Sequence, residues 1–216
     1  MPSDARLDHL LRTAARVFAQ AGYHSTSMRD LAAASGMSLA GMYYYVRGKE
    51  ELLALVQERC FDQVMDGALK TVATVQDPAE RLQAFVRHHV LFFADHMPEM
   101  KVLSHEADSL TGPAAQALRA RKKAYSGLLA DLVGGVLPDA PPAERAVAAY
   151  AVFGMMNWIY TWYRPGGPLE PAELADRLAE FARRSVAGNG YDVKESRRAE
   201  TSRKDVAARP LTGRSE

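Results

Sequence analysis

Apolar positions along this chain recur with the period of a helix. Leu7, Leu10, Leu11, Ala14, Ala15, Phe18 and Ala19 follow the i, i+3, i+4, i+7 rule, and Gly22 closes that first helix. Ser27, three residues ahead of Asp30, predicts a capping-box start for a short helix through Leu31 and Ala34, which Ser35-Gly36-Met37-Ser38 breaks. Ser38 is a second N-cap. A helix over 39–46 then buries Met42, Tyr45 and Val46 and leaves Ala40, Gly41, Tyr43 and Tyr44 on other faces. A long helix begins near Lys49 and carries Leu52, Leu53, Val56, Phe61, Val64, Met65 and Leu69 toward Val75.

Asp77-Pro78-Ala79-Glu80 is a strong helix start, and Pro98, Pro113, Pro142 and Pro171 punctuate the rest of the chain, giving helices near 78–95, 98–109, 113–136, 142–163 and 171–187. No segment alternates apolar and polar residues between hairpin turns, so the predicted fold is all-α with about nine helices. These helices divide into a three-helix unit over 1–48 and a larger helical unit over 49–187, with a disordered polar tail over 188–216. That tail carries Arg197, Arg198, Arg203 and Lys204 among acidic residues, as either a solvating segment or an accessory arm.

Composition changes this picture little. The 216 residues are 48% hydrophobic, enough for a core, and the formal net charge of +1 means that any nucleic-acid contact must come from a local surface. The single cysteine, Cys60, excludes an internal disulfide framework and fits a reducing, cytoplasmic compartment. Neither a secretory h-region nor an apolar run of about 18 residues is present, so no membrane partner is expected.

The segment 25–53, STSMRDLAAASGMSLAGMYYYVRGKEELL, places a capped helix, a glycine turn, two small residues, an aromatic cluster and a Lys-Glu-Glu-Leu-Leu helix start in order. With the helix before it, it resembles the helix-turn-helix signature of the tetracycline-repressor (TetR) family. The resemblance implies a recognition helix in the major groove, with Ser38, Leu39, Ala40 and Gly41 near the bases. Leu39 is either a thymine-methyl contact or core. The resemblance implies Tyr43 on phosphate and Tyr44 on phosphate, sugar or base. Lys49 and the helix-capping Thr26 and Ser27 are expected to face the DNA backbone. Arg29 and Arg47 are further phosphate candidates or plain surface charges. The chain departs from the family pattern at Val46, where phenylalanine is usual, and at Leu39, where a polar or basic residue is common.

Beyond Asp77 the resemblance is looser and implies a small-molecule pocket and a homodimer interface. Val147, Ala151, Gly154 and Trp158 form one stripe, and Leu174, Leu178, Phe181 and Ser185 another, suited to helix packing across a two-fold axis or within one chain. Phe92, Phe93, Met97, Met100, Leu103, Tyr125, Tyr150, Phe153, Met156, Asn157 and Trp162 are pocket candidates, although singly such residues are ordinary core. The run from His96 through Glu106, with Arg119, Arg121, Lys122 and Tyr125, looks like fatty-acyl-CoA-responsive members. The basic cluster of Arg119, Arg121, Lys122 and Lys123 would then meet coenzyme A phosphates at the pocket mouth, unless it simply forms a solvated face.

The expected partners are therefore double-stranded operator DNA, a bulky apolar effector such as an acyl-CoA, and a second copy of the chain. No cofactor and no metal are expected. His88, His89, His96 and His105 beside Glu106 invite a metal-hydrolase reading, but Ser109 stands where a zincin-type helix needs its second histidine. No nucleophile elbow or phosphate loop occurs, so no catalytic residue is assigned. A helical adaptor that binds protein rather than DNA is the alternative, and the Tyr43-Tyr44 pair ahead of Lys49 speaks against it.

Overall fold

The computed structural model describes residues 2–106 and 108–188, and the tail predicted over 188–216 lies, apart from Gly188, outside the described residues. The described residues are helical throughout, without strands. The order is α1 (Pro2–Ala21), α2 (Met28–Ser35), α3 (Leu39–Tyr43), α4 (Lys49–Ala73), α5 (Pro78–Asp95), α6 (Met97–His105), α7 (Gly112–Val136), α8 (Pro142–Asn157), α9 (Ile159–Trp162) and α10 (Pro171–Ala187). The helix predicted over 142–163 is interrupted at Trp158, which caps both α8 and the single turn of α9.

Local chemistry sets most of these boundaries. Ser27 Oγ accepts from the Asp30 N–H, and the Asp30 carboxylate accepts from the Ser27 N–H, so the predicted capping box closes α2 at its start. Its end is a Schellman turn. Gly36 takes φ 66°, a left-handed value that suits glycine, while its N–H and that of Met37 donate to Ala33 O and Ala32 O. Asp77 caps α5 by accepting from the Glu80 N–H, ahead of Pro78 in the first turn.

Helix α4 is the spine, packing against α1 at one end and against α5, α6 and α7 further along. Helix α10 lies along α5. Leu10, Phe18, Leu31 and Met42 fill the core between the first three helices, and it continues through Leu52 and Leu53 to Leu82, Phe85 and Leu129. Each such side chain contributes ~1.5–3 kcal/mol relative to exposure. One apolar cluster is continuous from the first three helices into the later ones, and both α4 and α6 pack against α1.

Candidate DNA-contacting face and effector cavity

Helix α3 ends at Tyr43, short of the predicted 39–46, and passes into a turn in which the Tyr45 and Val46 N–H groups both donate to Met42 O. Met42 within the helix and Val46 just beyond it are buried and anchor it. Ser38 Oγ accepts from the Gly41 N–H, fixing the first turn. A Cβ at position 41 would meet that hydroxyl at 3.1 Å, so the small residue keeps the cap intact. With Met42 turned in, Tyr43 is 50% and Tyr44 80% exposed, whereas Tyr45 is half-buried and edges against Tyr44. Ala40, Ser27, Ser38, Arg29 and Arg47 are exposed as well, and Leu39 is half-buried against the core.

Two predicted phosphate contacts are used differently. Thr26 is buried, and its hydroxyl donates to Gly22 O at 2.8 Å, a structural bond that removes it from the surface. Lys49 turns its ammonium inward, donating to Tyr23 O at 2.8 Å and Thr26 O at 2.7 Å while lying 4.4 Å from the centre of the Tyr23 ring. Its charge ties the α1–α2 turn to the start of α4. The spacing marked Lys49 as special, but not where its side chain points.

A cavity of about 670 Å³ opens between α5, α6, α7 and α8. Phe93, Met100, Leu103, Lys122, Tyr125, Tyr150, Phe153 and Asn157 line it as expected, with Lys123 of the predicted basic cluster, joined by Phe61, His89 and Ser104, which the sequence pattern did not assign to it. Its size suits a drug-sized ligand. The lining is mostly apolar. Lys122 is half-buried, its ammonium held below the usual lysine range by desolvation, and Lys123 is exposed beside it.

Six predicted lining residues lie elsewhere. Phe92 stacks on the His96 ring, Met97 packs against the core, Met156 is wholly buried, and Trp162 stands exposed on α9. Arg121 is taken by α4, with Nε 2.9 Å from Asp62 and a terminal nitrogen 3.8 Å from Glu58. Glu106 accepts from the Tyr23 N–H at 3.1 Å and from Ser109 Oγ at 2.7 Å. Helical periodicity marks a face, but not which of several neighbouring helices that face meets.

Glu106 instead belongs to a joint. The Gln57 side-chain amide donates to Glu106 O, and Thr111 donates twice to Glu50, so the α6–α7 connection is fastened to both the α1–α2 turn and α4. Met100, Leu103 and Ser104 of the same α6 line the cavity. A displacement there is thus one helix away from the turn that sets α2 and α3.

On the outer side of α8, α9 and α10 the described chain leaves large apolar side chains uncovered. Val147 is 69%, Trp158 61% and Phe181 63% exposed, together with Tyr150 and Trp162. Ala151 and Gly154 complete the α8 stripe, and Leu178 and Ser185 are partly exposed on α10. Leu174 is a correction: at 2% exposure it belongs to the protomer's own core, on the side of α10 that packs onto α5. Among the described residues no helix is long and apolar enough to cross a membrane.

A helix-turn-helix with an exposed tyrosine-bearing helix, followed by a helical body around an apolar cavity, defines a class of ligand-sensing transcription regulators. Residues 10–56 match the bacterial regulatory proteins of the tetR family, and residues 75–186 match the tetracyclin repressor-like C-terminal domain. The chain belongs to the TetR family. The transcriptional repressor KstR2 of Mycobacterium tuberculosis is 24% identical over 191 residues, covering 87% of this chain and 96% of its own. The transcriptional activator FasR of Mycolicibacterium smegmatis is 26% identical, covering 84% and 83% respectively. Among solved structures, AibR in complex with isovaleryl coenzyme A and operator DNA is 33% identical, covers 82% of this chain and 97% of its own, and superposes with a TM-score of 0.71.

Proposed function

We propose that this regulator is a repressor that binds a palindromic operator as a homodimer and is released by a largely apolar effector, an acyl-CoA being the leading candidate. The observation that carries the DNA reading is the outward pair Tyr43 and Tyr44 on a helix anchored by Met42. Flat rings ending in hydroxyls reach phosphate and sugar, while Ala40 and Gly41 let the backbone approach the groove. Pairing through Val147, Ala151, Gly154, Trp158, Leu178 and Phe181 covers an apolar face and presents two recognition helices to successive major grooves. Small residues at the centre of such a stripe permit close helix approach.

The effector reading rests on the cavity's apolar lining with two lysines at one side, and on the acyl-CoA complex of AibR. The acyl portion enters among Phe93, Met100 and Phe153 while the phosphates remain near Lys122 and Lys123. Occupation displaces α6, and the Glu106–Tyr23 bond passes that displacement to the turn ahead of α2. By linkage, an effector that weakens operator binding is itself bound less tightly by the operator complex. The chain acts by binding rather than by catalysis, within the cytoplasm.

The test is a mobility-shift titration with the gene's own upstream DNA across salt concentrations, with and without acyl-CoA. Specific retention that weakens as salt rises and is lost on adding effector supports the reading. Absent or salt-insensitive retention favours a protein-binding adaptor, and retention strengthened by effector reverses the sign of regulation.

A further inference from the structure

The cavity contains a polar group that its apolar character does not explain. His89 is 1% exposed, and its ring lies among Phe93, Tyr125 and Phe153, with centroids 4.7, 5.8 and 6.4 Å away. All three aromatic rings line the cavity with it. His89 Nδ1 is 3.0 Å from Tyr125 Oη, whereas Nε2 is buried and without a hydrogen-bond partner among the described residues. Burial, then the neighbouring His88, pushes the His89 pKa down to about 3, so the ring is neutral and carries one proton. Burial also holds the Tyr125 hydroxyl above the ordinary tyrosine range, so it keeps its own.

Acidity and basicity decide the direction of that bond. A phenol O–H is a stronger acid than a neutral imidazole N–H, and an imidazole nitrogen is a far stronger base than a phenol oxygen. Of the two arrangements open to the pair, the Tyr125 O–H therefore donates to His89 Nδ1, 3.0 Å away. The imidazole proton then sits on Nε2, a buried N–H with no acceptor among the described residues, in a residue that lines the apolar cavity. A buried unpaired donor is costly unless something supplies the missing bond.

We propose that His89 is the specificity-determining donor of the effector site, selecting ligands that carry a carbonyl oxygen within an otherwise apolar body, with Tyr125 as the positioning residue that holds the donor tautomer. This deepens the effector reading above and rests on the cavity being the effector site. Lys122 and Lys123 attract an anionic head, whereas His89 checks for an acceptor among the atoms that are buried. A hydrocarbon of the same shape leaves Nε2 unpaired, and discrimination against it is greater than one lost surface hydrogen bond would give.

Two matched pairs of probes test this by calorimetric titration of the full chain. The first is decanoyl-CoA against S-decyl-CoA, which differ by a carbonyl oxygen. The second is 2-decanone against decane, presented with a solubilising cyclodextrin at equal free concentration. The expected result is that the carbonyl member binds on the order of tenfold more tightly in each pair. His89→Phe keeps an aromatic ring in the box and removes this preference, and Tyr125→Phe reduces it. Thermal melting of both variants separates loss of recognition from loss of fold.

Preference for the ketone with no binding of either coenzyme A compound supports the His89 assignment and overturns the acyl-CoA reading. Binding of both coenzyme A compounds with equal affinity overturns the His89 assignment and leaves the acyl-CoA reading standing. Binding of none of the four by the wild-type chain overturns both.

Discussion

Helices α3 and α8 each leave aromatic rings in solvent, but they do so in different chemical company. On α3, Tyr43 and Tyr44 end in hydroxyls and stand beside Ala40, the exposed Ser38 cap and Arg47. On α8, Val147, Ala151, Gly154 and Trp158 form an exposed stripe without charge, and Phe181 is exposed on α10. The first surface keeps polar ends available for a polyanion and suits a partner bound through water and phosphate. The second gains most by excluding water altogether and suits a second apolar surface of its own kind. Exposure of aromatic residues therefore identifies no partner until their hydroxyls and neighbours are considered.

The strongest way to break this contrast is to charge the second surface. Trp158→Glu places a carboxylate within the proposed pairing face, where a buried unpaired charge costs several kcal/mol. The variant is expected to sediment as a monomer and to lose operator affinity by roughly a hundredfold or more, while keeping its helical circular-dichroism spectrum. A dimer that survives this substitution moves the interface elsewhere.

Lys49→Ala tests a residue that looks like part of the first surface but whose ammonium is held by backbone carbonyls of the chain. Loss of its bonds to Tyr23 O and Thr26 O is expected to lower stability by about 2 kcal/mol, visible as a lower melting temperature, with operator affinity falling in consequence. An unchanged melting temperature with weakened DNA binding would return Lys49 to the phosphate backbone.

Acid distinguishes the cavity from both surfaces. His89 has a folded-state pKa lowered to about 3 against an unfolded 6.5, so the unfolded chain binds the extra proton between those values. Its stabilising contribution is complete above pH 6.5 and is lost as pH falls toward 3. Going from pH 7 to pH 5 is expected to cost roughly 2 kcal/mol by this group alone, with the burial-lowered pKa of His88 acting in the same direction. Denaturant unfolding at the two pH values measures it, and His89→Phe flattens the difference.

The smallest expected effect is also the most selective. Tyr44→Ala removes an exposed ring from α3, and operator affinity is expected to fall about tenfold across sequences with no shift in melting temperature. A large loss of stability would show that Tyr44 packs rather than contacts.

The helices were legible because their signals span three or four residues. Ser27 with Asp30, Ser38 with Gly41, and Asp77 with Glu80 close their caps within one turn, whatever the remainder of the chain does. The outward orientation of Tyr43 and Tyr44 was legible for a related reason, since Met42 and Val46 orient α3. The break at Trp158 was not, because no proline or glycine marks it and the run through 142–163 stays apolar.

By itself the sequence determined the all-helical architecture, the family, and which short helix carries the exposed tyrosines, because periodicity, capping and turn chemistry act between neighbours along the chain. Tertiary structure alone decided that the Lys49 ammonium grips Tyr23 and Thr26, that Arg121 answers Asp62, that Glu106 fastens α6 to the Tyr23 turn, and that His89 lines the cavity with one nitrogen unpartnered among the described residues. Those partners lie 23 to 83 residues apart where they are joined by bonds. Which of many polar groups meets across such separations depends on how whole helices pack against one another, and no local pattern encodes that.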